Sequence, residues 1–134
     1  MRHLRFVVVC AALAAAVACG SSTSPSPVNI AGTWKGTVTD SQLGSGNVTA
    51  IINQPNAAVT GTWSATYTNT ANNNAGSLSG TIDGSNVTIL LKPSAVNSCG
   101  IQLTATSDGS TMNGTYSTVQ CTETVTGLIK VTKQ

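Results

Sequence analysis

Histidine and arginine are absent from this chain after residue 5, since its one histidine is His3 and its two arginines are Arg2 and Arg5. General acid–base catalysis normally uses histidine, lysine or a carboxylate with a shifted pKa, and a catalytic nucleophile needs such a base beside it. A zinc site is also disfavoured, because histidine, one of the usual zinc ligands, is missing after residue 5. We therefore expect a protein that is not an enzyme and that has no catalytic residues, no metal site and no cofactor.

Charge is scarce, since only 7% of the residues are charged. After residue 29 four lysines balance three aspartates and one glutamate. Nucleic-acid binding requires clustered cations that neutralise phosphates, so no nucleic-acid partner is expected. Asp83 and Asp108 each precede a glycine, which is typical of a tight turn, whereas Asp40 and Glu123 show no spacing that would pair them.

Helical periodicity is also missing from residues 30–134, where the dominant pattern has a period of two. In residues 59–67 apolar or small side chains occupy every second position and Thr or Ser fills the others, which indicates a strand with one buried face. Parts of this pattern recur between turn residues such as Asp-Gly, Pro-Asn and Asn-Asn. Strands are predicted at residues 32–39, 47–54, 57–67, 76–82, 86–91, 100–106, 111–120 and 124–132.

The connections between these strands are too short for crossover helices, so neighbouring strands should pair antiparallel in a meander. Glycines at inward positions permit the coiling that a small barrel requires: Gly61, Gly80, Gly114 and Gly127. The Cys, Trp, Cys order of an immunoglobulin sandwich is absent. We expect an all-β, eight-stranded antiparallel up-and-down barrel, and a two-sheet β-sandwich is the alternative.

The N-terminal segment has the three zones of a secretory signal peptide: positive charge, an apolar run over residues 6–17, and small residues before Cys19. The run is shorter than the roughly 20 residues of a membrane-spanning helix. Residues 16–19, Ala-Val-Ala-Cys, resemble the lipobox of bacterial lipoproteins, which implies cleavage after residue 18 and lipid attachment at Cys19. The alternative is an ordinary export signal in which Cys19 is incidental.

The same resemblance implies a place in the bacterial cell envelope. An aspartate after the lipidated cysteine is associated with the inner membrane in that family, and Gly20 stands there instead, which favours a lipid anchor in the outer membrane. Residues 19–29 contain two prolines and little apolar content, as a flexible tether would. The expected organisation is a signal peptide in residues 1–18, a tether in residues 19–29 and a barrel domain in residues 30–134.

Two cysteines remain after the tether, Cys99 and Cys121. In an exported domain such a pair indicates one disulfide, and a hairpin that turns at Ser110 places the two close to opposite each other. The alternation of side chains along the second strand requires a bulge near residues 117–118 to bring Cys121 to the same face. A disulfide that closes the loop between these two cysteines contributes about 3 kcal/mol to the stability of the folded state.

Four aromatic side chains share the inward faces of their predicted strands: Trp34, Trp63, Tyr67 and Tyr116. They are candidate ligand-binding residues, because together with small neighbours they could line a cup at the barrel mouth. The alternative is that they only fill the core, since a small barrel needs large side chains beside small ones.

Gly32-Thr33-Trp34 resembles the Gly-x-Trp motif of lipocalin and avidin-like barrels, and Thr60-Gly61-Thr62-Trp63 resembles an avidin strand. No tryptophan follows Trp63, so biotin is not the expected ligand. The chain is similar to small lipocalin-like lipoproteins of environmental bacteria. This resemblance implies a non-catalytic envelope protein that binds a small apolar or neutral ligand in the barrel mouth. The alternative is a protein-interaction module, such as an envelope inhibitor or assembly accessory, that uses the outer face and the loops at residues 41–46 and 69–75.

Overall fold

A computed structural model describes residues 23–134 of the chain as an all-β closed barrel. Its eight strands are β1 (Gly32–Asp40), β2 (Gly44–Asn53), β3 (Ala58–Tyr67), β4 (Asn74–Asp83), β5 (Asn86–Pro93), β6 (Gly100–Ser107), β7 (Thr111–Val119) and β8 (Thr126–Lys133). Each strand pairs antiparallel with its neighbours in sequence, and β1 also pairs with β8. The predicted eight-stranded up-and-down barrel is confirmed, and the sandwich alternative is wrong.

Alternation along the strands creates the core, because every second side chain points into the barrel. The buried cluster draws on all eight strands and includes Trp34, Val59, Ile82, Val87, Ile89 and Val131. Residues between these positions face outward, and the predicted hydroxyl-rich face of β3 is one such row. The outward residues also include Ile51 and Leu128, which are about half exposed.

One end of the barrel is closed by the chain that precedes β1, and we call it the closed end. Ile30 is fully buried there, and its backbone N–H donates to the Gln54 side chain at 2.6 Å. The Val28 N–H donates to the carbonyl oxygen of Gly84 at 2.8 Å, and the Gln54 amide donates to the Val28 carbonyl at 3.0 Å. Residues 28 and 29, which sequence analysis assigns to the tether, therefore lie against the barrel.

The opposite end, which we call the mouth, carries the connections β1–β2, β3–β4, β5–β6 and β7–β8. Residues 44–46, part of the loop predicted at residues 41–46, belong instead to β2, and Asn74, part of the loop predicted at residues 69–75, begins β4. Gly46 lies opposite Tyr67, and a Cβ at Gly46 would come within 2.9 Å of the Tyr67 ring. That glycine is explained by the close approach of β3, whose Thr66 carbonyl oxygen would lie 2.6 Å from the Cβ and whose Tyr67 ring would lie 2.8 Å from it, rather than by a reversal of the chain. One short 3-10 helix, Thr70–Asn72, lies in the β3–β4 connection.

The predicted disulfide between Cys99 and Cys121 is present at the mouth, with a Cα–Cα distance of 5.7 Å. The predicted bulge near residues 117–118 is wrong, because β6 and β7 keep one unbroken register as far as Gly100 and Val119. Gln120 then adopts a positive φ of 61° and turns the chain. Both cysteines lie just outside the strands, so the alternation of the strand does not constrain them.

The predicted signal peptide and the proposed lipid site at Cys19 lie outside the described residues. Within residues 23–134, no helix has the length and apolar character needed to cross a membrane.

Candidate ligand-binding site

A cavity of about 350 Å³ opens at the mouth of the barrel. Its walls are mainly apolar and come from the mouth halves of the strands, including Val38, Val48, Ala65, Leu91, Leu103 and Ile129. Its volume falls within the range of small-molecule sites, which is about 300–1,000 Å³. The closed end is filled by Ile30 and Trp34, both fully buried, so the cavity is a cup with one open end.

A buried carboxylate lies on the wall of this cup. Asp40 is the last residue of β1, and only 8% of its surface is exposed. Its Oδ1 accepts hydrogen bonds from the backbone N–H groups of Gln42 at 2.8 Å and Leu43 at 3.0 Å. Its Oδ2 accepts a hydrogen bond from the Tyr116 hydroxyl at 2.5 Å. These three donors fix the carboxylate against the cavity wall.

Glycines make room for both tyrosines of the cup. Gly127 lies between Asp40 on β1 and Tyr116 on β7 in the strand register, and a Cβ at Gly127 would overlap the Tyr116 ring. Gly46 has the same relation to Tyr67 across the β2–β3 pair. Each ring can therefore lie flat over a neighbouring strand, a known way in which aromatic side chains compensate for strand glycines.

Both tyrosines of the cup have a raised pKa, which favours the protonated form of each hydroxyl. Burial raises the pKa of Tyr116 above its ordinary value of 10.0, and the hydrogen bond to Asp40 raises it further. Burial also raises the pKa of Tyr67, and the negative charge of Asp40 adds to that effect. Both hydroxyls consequently remain hydrogen-bond donors at neutral pH.

Three of the four predicted ligand-binding residues meet at this cavity: Trp63, Tyr67 and Tyr116. The Trp63 indole N–H donates to the Ser77 carbonyl at 3.1 Å, which holds the ring in place. Trp34 does not line the cavity, because it lies at the closed end, where its indole N–H donates to the Ile30 carbonyl at 2.8 Å. The structure places Trp34 in the core.

Asp40 is a residue of the site that was not predicted from the sequence. Asp40 shares the inward alternation of Trp34 and Val38 on β1, and an acid at an inward position was the available signal. Within residues 23–134, no three His, Cys, Asp or Glu side chains lie close enough together to hold a metal ion. The arrangement offers an apolar volume, three aromatic rings and one carboxylate.

Comparison with known proteins adds nothing to this geometry: no protein family, curated protein or solved structure matches the chain.

Proposed function

We propose that this protein is a non-catalytic, lipid-anchored lipoprotein of the bacterial cell envelope that binds a small, mainly apolar ligand in its mouth cavity. The observation that carries the proposal is the cup itself, an apolar cavity of about 350 Å³ with Trp63, Tyr67 and Tyr116 on its walls. Cups of this size with a few polar groups are the usual form of small-molecule sites. Envelope location rests on the signal segment and the lipobox resemblance.

The position of the tether supports an outward-facing mouth. Cys19 is separated from Val28 by eight residues, which span at most about 30 Å when extended. Val28 is held at the closed end, at the Gly84 turn. A lipid on Cys19 would therefore anchor the closed end near the bilayer, and the mouth would face the aqueous compartment. The ligand would then enter from water rather than from the anchoring membrane.

Two single-tryptophan variants test the proposal, because one tryptophan lines the cavity and the other does not. Trp34→Phe leaves Trp63 as the only tryptophan, and Trp63→Phe leaves Trp34. Titration with a neutral aliphatic probe, 1-decanol, should shift the emission of the Trp34→Phe variant saturably and leave that of the Trp63→Phe variant unchanged. Calorimetry on both variants checks that each still binds the probe. If Trp63 does not respond, the proposal is wrong.

The second candidate function is protein interaction through the rim of the mouth. Leu43 is 40% exposed and Val96 is 88% exposed, and both lie in connections at this end. Exposed apolar side chains on a rim can contact a partner. Photo-crosslinking from position 96 in intact cells tests this function: one discrete adduct that disappears with Leu43→Asp favours it, and the absence of any adduct contradicts it.

A further inference from the structure

The cup is negatively charged and contains no compensating base from the described part of the chain. Asp40 is its one carboxylate, and none of the residues that line it is lysine or arginine. Lys35, Lys92 and Lys130 are exposed on the outer face of the barrel. Lys133 lies at the closed end, where its ammonium group approaches the Asn29 carbonyl at 3.5 Å.

A carboxylate that is nine-tenths buried is costly unless something offsets the loss of hydration. Two backbone N–H groups and the Tyr116 hydroxyl supply hydrogen bonds to Asp40, but all three donors are electrically neutral. They orient the carboxylate without cancelling its charge. A positively charged group inside the cavity would cancel it.

Aromatic rings around the same cavity favour the same kind of ligand group. The faces of tryptophan and tyrosine rings attract cations, and Trp63, Tyr67 and Tyr116 all line the cup that contains Asp40. Aromatic walls beside one carboxylate suit an ammonium group better than an anion or an uncharged polar group. The remaining apolar wall suits a hydrocarbon body.

We propose that the ligand of the mouth cavity is an organic cation, with a substituted ammonium group held between the aromatic rings and Asp40 and an apolar body against the aliphatic wall. This inference rests on the proposed function, because it assumes that the cavity is the binding site. It adds the chemical class of the ligand and its orientation.

A pair of probes that share one shape and differ in charge tests the inference. Benzyltrimethylammonium carries a positive nitrogen where neopentylbenzene carries a neutral carbon. Calorimetric titration of the purified full chain with each probe gives two dissociation constants. In the unmodified protein, the cation is expected to bind more tightly than its neutral counterpart.

Asp40→Asn removes the charge while Asn retains a carbonyl oxygen that can accept from Gln42 and Leu43. We expect this variant to weaken binding of the cation by at least tenfold, which corresponds to about 1.4 kcal/mol, and to change binding of the neutral probe by less than about twofold. Asp83→Asn is the matched control, because it removes one negative charge from an exposed position at the closed end. It should change neither affinity by more than about twofold.

The outcomes separate this inference from the proposed function. If Asp40→Asn affects both probes equally, or leaves the affinity for the cation unchanged, the ammonium site is wrong and the cavity remains a binding site. The same conclusion follows if the neutral probe binds the unmodified protein more tightly than the cation, a comparison that does not depend on the folding of any variant. If neither probe binds the unmodified protein, both proposals fail.

Discussion

Gly127→Ala should expel Tyr116 from the mouth of the barrel. A Cβ at residue 127 would overlap the ring of Tyr116, including its hydroxyl-bearing end. Tyr116 is the cross-strand neighbour of Gly127, so its ring can relieve this overlap only by moving away from Asp40. One added methyl group therefore breaks the hydrogen bond between the Tyr116 hydroxyl and the Asp40 carboxylate.

The expected cost follows from three contributions. Loss of a hydrogen bond to a charged acceptor costs about 1.5–3 kcal/mol. Overpacking of a tight site costs about 1–3 kcal/mol. Alanine lowers the conformational entropy of the unfolded chain relative to glycine, which offsets about 0.4–1 kcal/mol of this destabilisation. We expect the free energy of unfolding to fall by about 2–5 kcal/mol, which lowers the melting temperature of a domain this small by about 10 °C or more.

Urea unfolding followed by circular dichroism measures this change, and Gly100→Ala is the matched control. A Cβ at Gly100 would lie 3.1 Å from a Val119 methyl group and 3.4 Å from a Leu90 methyl group, and its nearest backbone atom is the Val119 carbonyl oxygen at 4.0 Å, so that variant should lose less than about 1 kcal/mol. In a Tyr116→Ala background the ring is absent, and Gly127→Ala should then cost less than about 1 kcal/mol. The proposed placement of Tyr116 is refuted if Gly127→Ala is as stable as Gly100→Ala, or if its cost is unchanged when the ring is removed.

Three further predictions concern the tyrosines, the disulfide and the anchor. Because folding raises the pKa of Tyr67 and Tyr116, the chain's only tyrosines, the stability linked to their protonation is present below pH 10 and lost as pH rises above it. In a pH titration followed by ultraviolet absorbance, tyrosinate should accordingly form at higher pH in the folded protein than in the urea-unfolded chain. Coincident titration curves would contradict the burial of the two tyrosine hydroxyls. Replacing Cys99 and Cys121 by serine should lower stability by about 3 kcal/mol in urea unfolding, whereas loss of less than 1 kcal/mol would mean that the bond contributes little. Cys19→Ser should move the protein from the membrane fraction to the soluble fraction of fractionated cells, and unchanged membrane association would contradict the lipid anchor.

Strand number and topology could be predicted from the sequence because each strand buries one face and alternates. Eight runs with short connections leave few arrangements, and Asp-Gly turns such as Asp83-Gly84 mark the reversals. Residues 44–46 show where this reasoning fails, because glycine is used both in turns and beneath aromatic rings. Local sequence does not distinguish these two uses; the distinction depends on Tyr67 across the β2–β3 pair.

The candidate site could be predicted only in part. Alternation along a strand indicates whether a side chain points inward, but it does not give the position of that side chain along the barrel axis. Trp34 and Trp63 therefore look equivalent in the sequence, although Trp34 lies at the closed end and Trp63 lines the cavity. Closure of one end by Ile30 depends on contacts with Gln54, which is 24 residues away. The cluster of Asp40 and Tyr116 joins positions 76 residues apart.

The most direct test of a ligand site in the mouth is a map of backbone amide chemical shifts during titration with 1-decanol. The account predicts saturable shifts at mouth residues such as Ala65, Leu91 and Leu103, with little change at Val59 and Val87 toward the closed end. Absence of saturable shifts both with 1-decanol and with benzyltrimethylammonium, or shifts confined to outward-facing residues, would contradict the claim that this cavity is where the protein binds its ligand.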